Sequence, residues 1–186
     1  MKLVVVTSNQ DKSNEIKAVL SEFDIKAVMK NIELSEIGDT IEEVALNKAK
    51  EAYRKIRKPL IVDDTGIFFR AYKNFPGIYA KRVYLSIGFE GLLKLLEGKT
   101  RKAYFKSAIC FYDGRYKTFS GKLNGTIQKD IHRDRFAREK FPYDRIFVPD
   151  GSDRPISLLS LSKKIEFSHR AVAVRKFARW FIRQSL

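Results

Sequence analysis

The chain has 186 residues, 44% hydrophobic and 12% aromatic, which suffices for one globular domain with a sizeable core and excludes intrinsic disorder. Its 37 lysines and arginines against 22 acids leave a formal charge of +15. That excess attracts polyanions (nucleotides, nucleic acid or anionic lipid) unless it is only a highly charged surface. A single cysteine, Cys110, excludes an internal disulfide, and with two histidines besides, no structural zinc site is expected. No apolar run approaches the ~20 residues of a membrane helix. The opening stretch is too short for a signal-peptide core, and no small-residue cleavage site follows it. A soluble cytoplasmic protein without membrane contact is expected.

Leu3 to Val6 is an unbroken apolar run, the pattern of a strand covered on both faces. Ile16, Val19, Leu20 and Phe23 recur at helical spacing and predict a helix from about Lys12 to Phe23, followed by a strand over Ile25 to Met29. Thr40-Ile41-Glu42-Glu43 reads as a capping box opening a helix to about Arg57, and Pro59 leads into a second buried strand, Leu60-Ile61-Val62. A short helix is expected near Gly91 to Leu96. Ala103 to Tyr112 is rich in β-formers and ends in the hairpin dipeptide Asp113-Gly114; Tyr116 to Ser120 returns, and Gly125-Thr126-Ile127 adds a short strand. The last helix, about Ser168 to Arg183, puts Ala173, Phe177, Trp180 and Phe181 on one face and Arg175, Arg179 and Arg183 on another. Strand–helix alternation followed by hairpins predicts a single α/β domain, residues 1–186, on a mixed, twisted sheet.

Four places carry chemistry. Thr7-Ser8-Asn9-Gln10-Asp11-Lys12 joins a buried strand to a helix amino terminus, where free N–H groups, hydroxyls and the dipole suit a phosphate. The alternative is a routine capped turn. Neither a G-x-G-x-x-G nor a Walker A pattern is present. Asp63-Asp64-Thr65-Gly66 follows a buried strand, and adjacent carboxylates there repel unless a cation joins them, which suits Mg²⁺ held with substrate phosphates. Lys48 lies within the apolar face of its helix, beside Val44 and Ala45, so it must either snorkel outward or aim its ammonium at a buried anion. Finally, Phe141-Pro142-Tyr143-Asp144 and Lys164…Ser168-His169-Arg170 combine aromatic faces with donors suited to a base or a phosphate.

In this order these segments, together with Glu15, Glu36, Lys48-Ala49, Phe75-Pro76-Gly77-Ile78-Tyr79, Phe147 and Pro149, resemble the inosine triphosphate pyrophosphatase family over nearly the whole chain. The resemblance implies a two-lobed α/β fold on a long twisted mixed sheet with the active site in the cleft. It also implies a homodimer that uses Mg²⁺ to split inosine, deoxyinosine or xanthosine triphosphate into monophosphate and pyrophosphate. Carried over residue by residue, Thr7, Ser8, Asn9, Gln10, Asp11 and Lys12 would cradle phosphates, with Lys48 adding a cation. Glu36 and Asp64 would bind Mg²⁺, Asp64 would activate the attacking water, and Asp63 would support them. Thr65 would contact the nucleotide. Phe141, Tyr143 and Asp144 would form the base pocket, and Lys164, His169 and Arg170 would complete its reading end.

Two departures stand out. Where the family usually has Gly-Phe-Gly-Tyr-Asp-Pro, this chain has Lys140-Phe141-Pro142-Tyr143-Asp144-Arg145 after a charged stretch, Asp130 to Lys140, without glycine. Proline fixes φ and removes an N–H donor, so this backbone cannot meet a base as glycine would. Val44 stands where asparagine is common. Two other functions compete: a basic nucleic-acid-binding protein on the same fold with little catalysis, and a pyrophosphatase for modified pyrimidine nucleotides.

Overall fold

The computed structural model describes residues 2–131 and 142–184. Its strands form one seven-stranded sheet in the order β2-β1-β3-β5-β6-β7, with β4 beside β3. The strands are β1 Lys2–Val6, β2 Lys26–Lys30, β3 Leu60–Phe69, β4 Pro76–Gly77, β5 Lys102–Tyr112, β6 Tyr116–Ile127 and β7 Phe147–Pro149. β1 pairs in parallel with β2 and β3, and every other pairing is antiparallel, so the sheet is mixed as expected.

The helices are α1 Gln10–Ser21, α2 Ile41–Ile56, α3 Ala80–Leu95, α4 Leu161–Phe167 and α5 His169–Arg183. Their starts follow local chemistry. Asn9 caps α1 by accepting from the amides of Asp11 and Lys12, and Thr40 with Glu43 forms the capping box of α2. Apolar side chains of α1 and α5 (Ile16, Val19, Leu20, Val174, Phe177) pack on one face of the sheet, and α2 packs Ile41, Ala45, Ala49 and Ala52 on the other. A further core, with Phe69, Leu92, Phe105, Tyr143 and Phe147, fills the half of the molecule that α3 covers.

Three elements differ from the sequence expectation. The expected strand Leu60–Val62 continues to Phe69, so Asp63-Asp64-Thr65-Gly66 lies inside a strand rather than after one; β5 pairs with every residue from Leu60 to Phe69 and holds it extended. The two short returns merge into the single strand β6. The short helix near Gly91 is the end of α3, whose first half escapes a periodicity search because Gly88, at φ 60°, breaks the helical path.

The first turn of α5 lies almost against β6, and Gly121 makes this approach possible. A Cβ there would stand 1.9 Å from the His169 carbonyl oxygen and 2.7 Å from the Ala173 amide nitrogen. Both are backbone atoms, so no rotamer change relieves the clash. Gly121→Ala should therefore push α5 off the sheet and destabilise the protein by about 1–3 kcal/mol, as overpacking does, with Gly121→Val worse. Urea unfolding reads this directly. An alanine variant as stable as wild type would mean that α5 is not seated so closely.

Candidate active site

The site exists because β1 stops and β3 does not. β1 pairs with Leu60 to Val62, and β4 pairs only with Ile67 and Phe68. Between them, residues 63–66 have a strand neighbour on the β5 side alone among the described residues, which leaves a four-residue notch in the sheet edge. The turn after β1 forms one wall of this notch and Phe75 to Tyr79 forms the other. Ligands in α/β sheets collect at such a point, beyond the carboxyl end of a strand where its neighbours part.

Within a strand, consecutive side chains point to opposite faces, so Asp63 and Asp64 enter different surroundings. Asp63 faces α1 and α5. Lys12 Nζ lies 2.7 Å from its Oδ2, Arg170 Nε lies 3.3 Å from the same oxygen, and Thr65 donates to it at 3.1 Å. Arg170 also donates to Glu15 and, at 3.1 Å, to the Thr65 hydroxyl. Ser168 donates to Glu15 while its oxygen caps α5 at the Ala171 amide. Burial alone would raise the Asp63 carboxyl, but Arg170 and Lys12 reverse this and hold it far below the usual range. Glu15 is likewise lowered: burial opposes, and Arg170, His169 and Ser168 prevail.

Asp64 faces α2. Its Oδ1 lies 3.0 Å from Lys48 Nζ, which is also 3.5 Å from Glu36 Oε1. Here burial is the larger effect and raises the carboxyl, with Asp63 adding to it, and Lys12 and Lys48 only partly offset this. Burial would lower the Lys48 ammonium, but Asp64 outweighs it and the net shift is upward. Lys48 thus aims at an anion instead of snorkelling. The two neighbouring carboxyls are thus pushed in opposite directions by their surroundings.

Behind the Asp63 face lies a cavity of about 350 Å³, the size of a small-molecule pocket. Asn9, Asp11, Lys12 and Thr65 line one end; Asp144, Arg145, Lys164 and His169 line the rest with the apolar groups Phe105, Leu123, Ile156 and Phe167. His169 stacks on Phe105 at 4.8 Å. Neither of its ring nitrogens has a hydrogen-bond partner among the described residues. Burial pushes the ring down to about 3, so it is neutral at physiological pH and offers one donor and one acceptor. Asp144 lies 3.6 Å from Lys164, and burial pushes its carboxyl up to about 6 despite that lysine.

Several expected residues are placed differently. Tyr143 is fully buried in the core, donates to the Ala80 carbonyl at 2.9 Å and does not line the cavity. Gln10 is exposed and hydrogen-bonds Asn14. The amides of Asp11 and Lys12 are taken up by the Asn9 side chain and that of Asn9 by Thr7, so this turn is capped rather than open, leaving Ser8 exposed. Arg170 lines the cavity with Lys164 and His169, its guanidinium donating to Glu15 and to the Thr65 hydroxyl and lying 3.3 Å from Asp63. Phe141 lies outside the described residues. Sequence reasoning missed Ser107, fully buried and 2.6 Å from the Thr65 hydroxyl, and Arg145, which had signalled only as a departure from the family pattern.

With this geometry the chain can be set beside known proteins. The Ham1 family matches residues 3–180. A protein of Thermococcus kodakarensis named dITP/XTP pyrophosphatase is 38% identical over 182 residues, 97% of this chain and 97% of that protein. One of the same name from Saccharolobus solfataricus is 42% identical over 181 residues, 96% and 92% of the respective chains. The structure of the Staphylococcus aureus Ham1 protein superimposes with a TM-score of 0.79 at 27% identity, covering 99% of this chain and 100% of that one.

The ion cluster makes a prediction about stability. Arg170→Met leaves Glu15 and Asp63 buried with their main cation gone, and should cost roughly 3–5 kcal/mol. Both carboxyls are held below their ordinary values of 4.5 and 3.8, so their contribution is complete above those values and lost as pH falls through the depressed ones. Wild type should therefore weaken progressively below about pH 4.5, and Arg170→Met should show a shallower acid slope. Urea unfolding across pH measures both, and an unchanged midpoint with an unchanged slope would remove Arg170 from this role.

Proposed function

We propose that this chain, which belongs to the Ham1 family, hydrolyses non-standard purine nucleoside triphosphates to the monophosphate and pyrophosphate. Inosine, deoxyinosine and xanthosine triphosphate are the substrates, and the reaction cleanses the nucleotide pool. One observation carries the reading: two adjacent buried aspartates, each paired with a lysine, stand in a sheet notch beside a cavity of about 350 Å³ that Lys12, Lys164 and His169 line. The dITP/XTP pyrophosphatase names of the archaeal relatives support it.

Mg²⁺ fits the residues present. Among the described residues no group of three or more His, Cys, Asp or Glu converges, so the protein offers the carboxylates of Asp64 and Glu36 alone, both within reach of the Lys48 ammonium. A cation already reaches both carboxylates, and a sparse carboxylate set is what Mg²⁺ uses when waters and substrate phosphates complete its octahedron. Bound there, it would neutralise triphosphate charge and polarise the reacting phosphate.

The chain's own residues then divide the work. Lys48 and Lys12 would steady phosphate oxygens as charge passes to the leaving pyrophosphate, helped by Thr7 and Ser8. Asp64, raised by burial, would orient the water and take its proton as it attacks the α-phosphorus. Asp63 stays charged and fixes Lys12 and Arg170. Lys164 and His169 would donate to a 6-oxo group, with Thr65 at the sugar–phosphate junction and Asp144 beside the base; adenine carries an amino group at position 6 and leaves those donors unmet. Among the described residues no helix is long and apolar enough to cross a membrane. A cytoplasmic homodimer fits the same reading, and exposed Tyr79, Leu85 and Ile87 at the start of α3 support self-association.

With Mg²⁺, the protein should release pyrophosphate from inosine and xanthosine triphosphate at least ~10²-fold more efficiently than from adenosine triphosphate, and chelating the metal should stop the reaction. Equal turnover of adenosine triphosphate would refute the donor argument. Lys48→Met should lower kcat/KM by about 10²-fold and lower thermal stability as well, since it leaves the buried Asp64 carboxylate without its ion-pair partner. Full activity in that variant would remove Lys48 from the phosphate site.

A further inference from the structure

Alternate residues of a strand share a face, so the register puts Gly66 and Phe68 of β3, Tyr104 and Lys106 of β5, and Lys122 and Asn124 of β6 on the side to which Asp64 points. The other side of these strands, with Phe69, Leu123 and Phe147, is core under α3. α2 reaches the first side with its opening turn, where Glu42 meets Lys106 at 2.6 Å. Beyond that contact Arg70, Lys102, Lys122 and Asn124 are all exposed.

Two of these cations gather on one aromatic ring. Phe68 stacks on Tyr104 at 4.9 Å; the Lys122 ammonium stands 3.7 Å from the centre of the Tyr104 ring and the Arg70 guanidinium 4.9 Å from it. The negative face of the ring attracts each of them. Arg70 is steadied further by the Asn124 side-chain oxygen at 3.5 Å. Among the described residues neither cation has a carboxylate partner. Two positive charges this close repel. Partial burial first, then Arg70 and Lys106, hold the Lys122 ammonium below its ordinary value. An anion lying between the two cations would relieve that repulsion and accept from both.

We propose that Arg70 and Lys122 form a site for a free oligophosphate, outside the catalytic notch, and that inorganic pyrophosphate is its ligand. The forked guanidinium suits one phosphoryl group and the ammonium the other. Neighbouring carboxylates set the size of the ligand. Asp150 stands 3.7 Å from Lys102 and Glu42 stands at Lys106, and these two lysines are four residues apart on β5, about 13 Å. Acidic groups thus close both ends of the site. A phosphodiester strand crossing it would run onto them, whereas a small polyanion fits between. The choice of pyrophosphate among small polyanions rests on the function proposed above, since that reaction would release it beside Asp64, four residues before Phe68 on the same face of β3.

Lys122 itself reports on the site. Acetylation of wild type, followed residue by residue with peptide mass spectrometry, should slow at Lys122 when inorganic pyrophosphate is added without metal. At about ten times Kd, mass action leaves roughly one site in ten open, so the protection should be roughly ten-fold. Exposed Lys26, on β2 at the far edge of the sheet, should react as before. Arg70→Gln should abolish the protection and Arg70→Lys restore part of it, both with unchanged melting curves and wild-type turnover of inosine triphosphate. Turnover that falls in step with protection would place Arg70 in the catalytic site and overturn the proposal. Equal protection by sodium chloride at the same ionic strength, or by a short oligothymidylate, would overturn it as well, as charge screening or as a nucleic-acid surface. So would protection that survives Arg70→Gln. Protection in a wild type that turns over no triphosphate would refute the hydrolytic reading and leave the site standing; turnover without protection would refute the site alone.

Discussion

Glu15 and Asp63 are carboxylates that burial alone would drive toward neutrality, and a protein that buries them charged must bring cations to them. Arg170 reaches both, from a helix that begins a hundred residues after the end of β3, and Lys12 reaches Asp63 from the first turn of α1. This buried cluster ties α1, β3 and α5 together at one point. The alternative, a charge left alone in the interior, costs several kcal/mol, a large share of the net stability of a domain this size. The remainder of that end of the molecule follows. Ser168 must both cap α5 and meet Glu15, Thr65 must both accept from Arg170 and donate to Asp63, and Gly121 must lack a side chain so that α5 can come close enough.

The cluster also explains how one strand carries two kinds of carboxylate. The alternation of β3 sends Asp63 into a lattice of fixed partners and Asp64 toward α2, where Lys48 pairs with it and burial dominates. The first is held as a permanent charge. The second has its proton affinity raised by burial. Because both aspartates sit where β1 has ended and β4 has not begun, the notch opens onto both faces of β3, with Lys48 on the α2 side and Lys12 and the cavity on the other.

Much of this was legible in the chain. The apolar run Leu3–Val6, the capping box at Thr40 and the Asp113-Gly114 hairpin are local signals, and each led to the correct element. Asp63-Asp64 stood out, but the strand holding them was cut short because charged residues in a strand interior run against local propensity; the pairing with β5 that keeps them extended is a long-range interaction. The sequence groups Arg170 with Lys164 and His169, as the cavity lining does, but leaves its anions unnamed, and it places Tyr143 in the base pocket, for the same reason. Arg170 finds its anions in α1 and β3, and Tyr143 has its hydroxyl claimed by the Ala80 carbonyl, neither visible in spacing. Lys48 could be read only as a choice between snorkelling and a buried anion, and Asp64, which settled that choice, lies on another element.

The division between the two aspartates is most directly tested by making the same change at each. Asp63→Asn and Asp64→Asn should be compared by urea unfolding and by steady-state turnover of inosine triphosphate with Mg²⁺. Asp63→Asn should lose roughly 3–5 kcal/mol of stability by stripping Lys12 and Arg170 of their shared anion. Asp64→Asn should stay within about 1 kcal/mol of wild type in stability and lose nearly all turnover, as removal of a metal-binding, proton-accepting group requires. A folded Asp64→Asn enzyme with near-normal turnover, or an Asp63→Asn protein as stable as wild type, would contradict the account.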